Sequence, residues 1–134
     1  MKILFIDYGT KNIGIALSDS EAKFAGEQPI LNNIGIERVI ASLDELIQTQ
    51  KIGHVVLGFP FSPEKSDNEV TNDIRRIKNY FTKNNVPVSL WDESYSSVQV
   101  ESHFRGKQQK NSDSKVARLL LQEYLDNINS NKQL

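Results

Sequence analysis

The first part of the chain alternates between apolar and polar positions with the period of β-strands. Residues 2–7 are rich in Ile, Leu and Phe and end on Asp7, and residues 13–18 alternate as a second strand. The sequence YGTKN between them contains the Gly and Asn that turns favour. A short third strand is expected within residues 23–31. These segments predict a hairpin or meander at the start of the fold.

From residue 36 onward, apolar positions recur with the period of an α-helix in three places. The first helix is expected to have Asn33 as its cap and Gly53 as its stop. Its apolar positions are Ile36, Val39, Ile40, Leu43, Leu46 and Ile47. The second helix has an apolar stripe formed by Val70, Ile74, Ile77 and Phe81. The last helix is expected to begin near Ser112, with an apolar face formed by Val116, Ala117, Leu120, Leu121, Tyr124 and Ile128.

Two further strands are expected between these helices. HVVLGFP, at residues 54–60, is a short continuous apolar run, which is typical of a strand buried on both faces. VPVSLWDE, at residues 86–93, is another strand, and Ser96 with Gln99 forms a capping box for a short helix. Strands that alternate with helices predict an α/β domain, and the opening hairpin makes its central β-sheet mixed.

The composition narrows the class of protein. A length of 134 residues suits a single domain over residues 1–134. The absence of Cys excludes a disulfide scaffold, thiolate zinc sites and cysteine nucleophiles. No apolar run approaches the ~20 residues of a membrane helix, and the N-terminus lacks a signal-peptide pattern. We therefore expect a cytoplasmic protein that makes no membrane contact.

Three carboxylates stand at similar places in the predicted elements: Asp7 and Glu93 close strands, and Asp113 opens the last helix. Ligands of open α/β sheets gather outside the carboxyl ends of the strands, and the first and last strands could lie together there. Converging carboxylates repel one another, and Mg²⁺ or Mn²⁺ would remove that repulsion. Each acid also has an ordinary role open to it, as a turn cap, a solvated residue or a first-turn acid favoured by the helix dipole.

The net charge of −1 means that any surface for nucleic acid must be a local patch. One such patch surrounds Asp113 and contains Arg105, Lys107, Lys110, Lys115 and Arg118. From charge alone, the simpler interpretation is that these basic residues belong to a solvated loop and helix end. We interpret His54 and His103 as structural, because their spacing is unlike that of metal ligands, and we expect Trp91 in the core.

Four segments in order, DYGTKNIGIALSD, VVLGFP, LWDES and DSKVARLLLQEYLD, resemble the YqgF/RuvX family. This family consists of ribonuclease H-like proteins described as candidate Holliday junction resolvases and pre-16S rRNA processing nucleases. The resemblance covers nearly the whole chain. It implies a ribonuclease H-like fold, and it assigns the roles of catalytic residue and metal ligand to Asp7, Glu93 and Asp113.

The resemblance also implies a cofactor and a reaction. Two Mg²⁺ or Mn²⁺ ions, bound together with substrate, would allow water to hydrolyse a phosphodiester bond. Thr10 and Lys11 are then expected to contact phosphates, together with the basic residues around Asp113. The chain departs from the family pattern at Asn12 and Ser94, where basic residues are usual, and Gln108 and Gln109 interrupt the basic segment.

Several alternatives remain open at this point. The favoured function is processing of the 5′ end of pre-16S rRNA, with pre-ribosomal particles as a further partner. The first alternative is a Holliday junction resolvase that acts on four-way DNA, and the second is a non-catalytic nucleic-acid or ribosome-binding module. An ATPase of the sugar-kinase or actin type would need two such domains, for which the chain is too short. The expected oligomeric state is a monomer or a weak homodimer.

Overall fold

The computed structural model describes residues 1–59, 69–92 and 113–132. In these ranges the chain forms a mixed sheet of six strands with three helices packed against it. The strands are β1 (Lys2–Asp7), β2 (Asn12–Ser18), β3 (Ala25–Glu27), β4 (Leu31–Asn32), β5 (Ile52–Phe59) and β6 (Val88–Asp92). The helices are α1 (Ile36–Gln50), α2 (Glu69–Lys83) and α3 (Asp113–Lys132).

The strands are arranged in the order β3-β2-β1-β5-β6, and β4 pairs with β2 beside β3. The strand β1 pairs antiparallel with β2 and parallel with β5, which in turn pairs parallel with β6. The sheet is therefore mixed, as the sequence predicts. The carboxyl ends of β1, β5 and β6 meet at one edge of the sheet, although β5 separates β1 from β6.

The two faces of the sheet carry different helices because side chains alternate along each strand. Leu4 and Ile6 of β1 belong to the larger cluster, which also contains buried residues of α1 and α2. Ile3 and Phe5 of β1 belong to the smaller cluster, which contains Ala117 and other buried residues of α3. We call these sides the α1/α2 face and the α3 face.

The boundaries of the first helix differ from the prediction. Its N-cap is Gly35 rather than Asn33, and it ends before Lys51, which adopts a left-handed conformation, rather than at Gly53. The Asn33 side chain is instead bound to the turn after β1, and its Oδ1 accepts a hydrogen bond from the Gly35 amide at 3.3 Å. The Asn33 oxygen thus bonds the amide of the cap residue Gly35 itself, and the helix begins one residue later, at Ile36.

The other elements agree with the prediction within a few residues, except that the expected third strand is divided into β3 and β4. The proposed short helix at residues 96–99 lies outside the described residues. No helix within the described ranges is both long enough and apolar enough to cross a membrane.

Candidate functional site

Asp7 lies at the carboxyl end of β1, where the strand passes into its turn. It is partly exposed and pairs with Gly14 of β2. Because it is two residues beyond Phe5, which packs against α3, its position in the strand belongs to the α3 face. The chain thus places this carboxylate on the side of the sheet that carries the last helix.

A buried contact holds the start of α3 close to this point. The Oγ of Ser114, a buried residue, accepts a hydrogen bond from the Ile15 amide of β2 at 3.3 Å. Ile15 directly follows Gly14, the residue that pairs with Asp7. Asp113 is the first residue of α3, so its backbone lies near the end of β1, while its side chain lies outside the described part.

Glu93, the third predicted acid, also lies outside the described residues. The strand that leads to it ends at Asp92, which pairs with Phe59 at the end of β5. This strand end belongs to the same edge of the sheet as the end of β1. The structure therefore brings Asp7 and the backbone of Asp113 together, and it describes the strand leading up to Glu93.

The turn after Asp7 is held by a network of hydrogen bonds. Asn33 Nδ2 donates to Tyr8 Oη at 2.9 Å and to the Gly9 carbonyl at 2.8 Å, and the Asn33 amide donates to the Lys11 carbonyl at 2.9 Å. Tyr8 Oη in turn donates to Asp73 Oδ2 of α2 at 2.7 Å. Two other parts of the chain, at Asn33 and at Asp73 of α2, thus fix the turn that begins beside Asp7.

The environment of Tyr8 favours its neutral form. Burial is the main cause, and the hydrogen bond to Asp73 adds to it, so that the pKa of Tyr8 is raised from 10.0 to about 12. The hydrogen bond from Asn33 has the opposite, smaller effect. Tyr8 is therefore a neutral donor to the Asp73 carboxylate at neutral pH.

Gly9 allows the turn to close tightly. A Cβ atom at this position would lie 2.4 Å from the carbonyl oxygen of Asn12, which is backbone and cannot rotate away. The turn exposes Thr10 and Lys11, two of the residues predicted to contact nucleic acid. They are close in sequence to Asp7 and lie at the same end of the sheet.

The other predicted binding residues are divided between described and undescribed parts of the chain. Lys115 is exposed and Arg118 is partly buried on the first two turns of α3. The remaining members of the predicted patch, Arg105, Lys107 and Lys110, lie outside the described residues.

His54 and Trp91 fit the structural roles expected for them. His54 Nε2 is hydrogen-bonded to Ser89 Oγ at 2.8 Å, and burial lowers the pKa of the imidazole. Trp91 packs against the α3-side cluster, with its ring edge-on to Tyr124 at 5.4 Å between centroids. His103 lies outside the described residues.

No pattern in the sequence indicates the roles of Tyr8, Asn33 and Asp73. Tyr8 and Asp73 are separated by 65 positions, and no motif links them. All three line a cleft of about 320 Å³ beside the turn, together with Thr10 and other residues. Only the packing of α2 beside the end of β1 shows that they belong to one site.

The residues at this end of the sheet offer hard oxygen donors, which Mg²⁺ and Mn²⁺ prefer. Asp7 is partly exposed, and a second acid, Asp113, begins the helix held next to it. Among the described residues, no three His, Cys, Asp or Glu side chains are grouped closely enough to hold a metal ion. The side chains of Glu93 and Asp113 are not among those described. The carboxylate oxygens of Asp7, Glu93 and Asp113 are donors of the kind that a divalent cation binds.

The chain is similar in sequence to bacterial proteins over almost its full length. A protein of Maridesulfovibrio salexigens, named as a candidate pre-16S rRNA nuclease, is 31% identical over an alignment of 132 positions that covers 93% of this chain and 98% of the relative. A Burkholderia mallei protein of the same name is 34% identical over an alignment of 129 positions that covers 94% of this chain and 88% of the relative.

The fold is also similar to solved structures of resolvases. Thermus thermophilus RuvC, in complex with a Holliday junction substrate, matches with a TM-score of 0.62 over 96% of each chain at 13% identity. The fowlpox virus Holliday junction resolvase matches with a TM-score of 0.59 over 96% of this chain and 99% of its own, at 18% identity. These likenesses confirm the ribonuclease H-like fold.

The family assignment rests on the sequence rather than on these distant structures. The model of the family described as RuvX, Holliday junction resolvase, matches residues 1–127, which contain all four segments of the predicted resemblance. The relatives at 31% and 34% identity agree with it. The protein therefore belongs to the RuvX (YqgF) family of ribonuclease H-like proteins.

Proposed function

We propose that this protein is a metal-dependent nuclease that hydrolyses a phosphodiester bond in the 5′-end processing of pre-16S rRNA. The observation that carries the proposal is the placement of Asp7 beside the start of α3, held by the contact between Ser114 and Ile15. The names of the relatives support RNA as the substrate.

In this proposal Asp7, Glu93 and Asp113 hold the metal. Divalent cations, when bound, supply positive charge to the attacking and leaving oxygens of the phosphoryl group. Asp7 is placed on a rigid strand end, and Asp113 on the first turn of a helix, which are the kinds of element that hold ligands in fixed positions. The sheet edge thus serves as a rigid frame for carboxylates that would otherwise repel one another.

The surrounding residues orient the substrate. Lys11 and Thr10 are exposed on the turn next to Asp7 and contact the phosphate backbone in this proposal. Lys115, exposed near the start of α3, extends the same surface with Arg118, and the amino-terminal end of the helix itself favours negative charge. The network of Tyr8, Asn33 and Asp73 keeps the turn in one conformation.

A second candidate is cleavage of four-way DNA junctions, because the fold matches RuvC solved with a Holliday junction substrate. This reaction would require a dimer, since two symmetric cuts need two sites. A third candidate is binding without catalysis, in which the three acids would have no role in turnover.

The experiment that tests the proposal compares two labelled substrates with the purified protein in Mg²⁺ or Mn²⁺, with a chelator as control. One substrate is single-stranded RNA that carries a precursor 16S end, and the other is a synthetic four-way DNA junction. We expect cutting of the RNA that the chelator abolishes. Paired symmetric nicks in the junction, without RNA cleavage, would favour the resolvase, and no cleavage of either would favour the binding module.

A further inference from the structure

Two adjoining clefts run along α2 from the turn that follows Asp7. The first is the cleft of about 320 Å³, whose lining includes Thr10, Glu69, Asp73 and Arg76. The second has a volume of about 570 Å³ and is lined by Ile40, Arg76, Asn79, Tyr80, Thr82 and Lys83. The two clefts adjoin at Arg76, which lines both, and we call them together the α2 groove.

The far part of the α2 groove is suited to a polyanion. Arg76 and Lys83 are exposed, and neither forms an ion pair with a residue in the described ranges. No carboxylate is among the residues that line this part. The two cations are seven residues apart on α2, roughly 10 Å along the helix axis, so they can contact different phosphates of one strand.

The near part of the groove differs in charge, because carboxylates line it. Glu69 and Asp73 line it and would repel a phosphate, but their oxygens can accept hydrogen bonds. Asp73 uses Oδ2 to accept the Tyr8 hydroxyl, and Oδ1 can accept a second donor. A ribose 2′-hydroxyl is such a donor and is missing from DNA, so this part favours RNA.

Tyr80 adds an aromatic ring between the two cations. Its ring is edge-on to Phe81, with 5.2 Å between centroids, and its hydroxyl is 3.5 Å from Asp44 Oδ2 of α1. These contacts limit the movement of the ring, which also lines the groove. Bases of single strands stack on aromatic rings of this kind without regard to sequence.

We propose that the α2 groove binds the single-stranded RNA that flanks the cleaved bond, with phosphates at Arg76 and Lys83, a base at Tyr80 and a ribose at Asp73. The inference rests on the nuclease function proposed above and names the class of nucleic acid at that site. The occupant is a single strand because its unpaired bases are free to stack on Tyr80. The groove lies on the α1/α2 face and reaches Thr10 of the turn, whereas Asp7 lies on the α3 face, so the bound strand crosses the turn to reach Asp7.

The test measures binding in the Asp7→Asn protein, so that cleavage does not interfere. A fluorescent single-stranded RNA and a DNA of the same sequence are titrated at several salt concentrations with a chelator present. Arg76→Gln with Lys83→Gln removes the two groove cations. The matched control, Arg38→Gln with Lys23→Gln, removes two exposed cations that line neither cleft.

We expect the groove variant to lose about 1.4 from the slope of log affinity against log salt, since each phosphate contact on a single strand contributes ~0.7. The same relation predicts an affinity about 25-fold lower at 0.1 M salt. The control should keep the parent slope. Tyr80→Leu should weaken binding without a change in slope, because stacking releases no counterions.

Three results would overturn the inference. The first is an equal salt slope in the groove variant and its parent, and the second is tighter binding of the DNA than of the RNA. The third is a groove variant that loses self-association and keeps its affinity for RNA. Cleavage by the protein with an intact Asp7 is assayed separately. Cleavage of RNA with unaltered binding in the groove variant would reject the groove and retain the nuclease. Groove-dependent binding without any cleavage would reject the nuclease function.

Discussion

The hydroxyl of Tyr8 provides a quantitative test of the network that holds the turn beside Asp7. Tyr8→Phe removes the donor to Asp73 and the acceptor for Asn33, and it leaves the ring of this buried residue in place. Asn33 still donates to the Gly9 carbonyl in the variant. The substitution therefore removes two hydrogen bonds and creates almost no cavity.

The expected cost follows from the kinds of bond that are lost. A hydrogen bond to a charged group contributes ~1.5–3 kcal/mol and a neutral one ~0.5–1.5 kcal/mol. Asp73 is partly exposed and regains some hydration in the variant, which places the total near the lower end. We expect Tyr8→Phe to lower the free energy of unfolding by about 2 kcal/mol at neutral pH.

The stability of the unmodified protein should also fall at alkaline pH because of this residue. The pKa of Tyr8 is about 12 in the folded protein, raised first by burial and then by Asp73, against 10.0 for the unperturbed group. The neutral form therefore stabilises the fold fully below pH 10, and this contribution is lost as the pH rises toward 12. By pH 11 the loss amounts to ~1.4 kcal/mol, and Tyr8→Phe lacks it.

The assay is urea unfolding at pH 8 and pH 11 in metal-free buffer. Tyr80→Phe is the matched control, because its hydroxyl also lies near an aspartate on another helix, but at 3.5 Å and away from the turn. Equal stability of Tyr8→Phe and the unmodified protein at pH 8 would refute the role of the hydroxyl. An equal alkaline loss in both proteins would refute the raised pKa.

The remaining predictions concern the turn and the start of α3. Gly9→Ala should destabilise the protein by about 1–3 kcal/mol, because its Cβ would lie 2.4 Å from the Asn12 carbonyl oxygen and overpacking carries a cost of this size; an unchanged urea midpoint would contradict the tight turn. Ser114→Ala should lower the free energy of unfolding by about 1–3 kcal/mol, because it leaves the buried Ile15 amide without its acceptor. A circular-dichroism melt of that variant that overlays the parent melt would show that the contact does not hold the helix.

Much of the fold follows from local patterns in the sequence. Continuous apolar runs and helical stripes are properties of neighbouring residues, so β5 and α2 were predicted close to their actual bounds. The cap of α1 was wrong because Asn33 contacts Tyr8 and Gly9, which are 25 and 24 positions away. A local pattern contains no information about such partners.

In the candidate site, too, local patterns predict some features, and tertiary contacts determine the others. Asp7 was identified from its place at the end of a strand, and the structure adds the contact that holds α3 beside it. The strands that lead to Asp7 and Glu93 are separated by β5, a fact of strand order that periodicity does not determine. The cleft beside Asp73 depends on how α2 packs, and no local pattern of residues indicates it.

The most direct test of the account is the rate of RNA cleavage by Asp7→Asn compared with Asp126→Asn. Asp126 is an exposed residue of α3, 13 positions after Asp113 and roughly 20 Å away along the helix axis. Loss of a residue that hydrogen-bonds to a metal ligand lowers activity ~10–100-fold, and loss of the ligand itself should lower activity at least as much. We expect Asp7→Asn to be folded and more than ~100-fold slower, and Asp126→Asn to cleave at the unmodified rate. Near-normal cleavage by a folded Asp7→Asn protein would contradict the assignment of Asp7 as the central residue of the site.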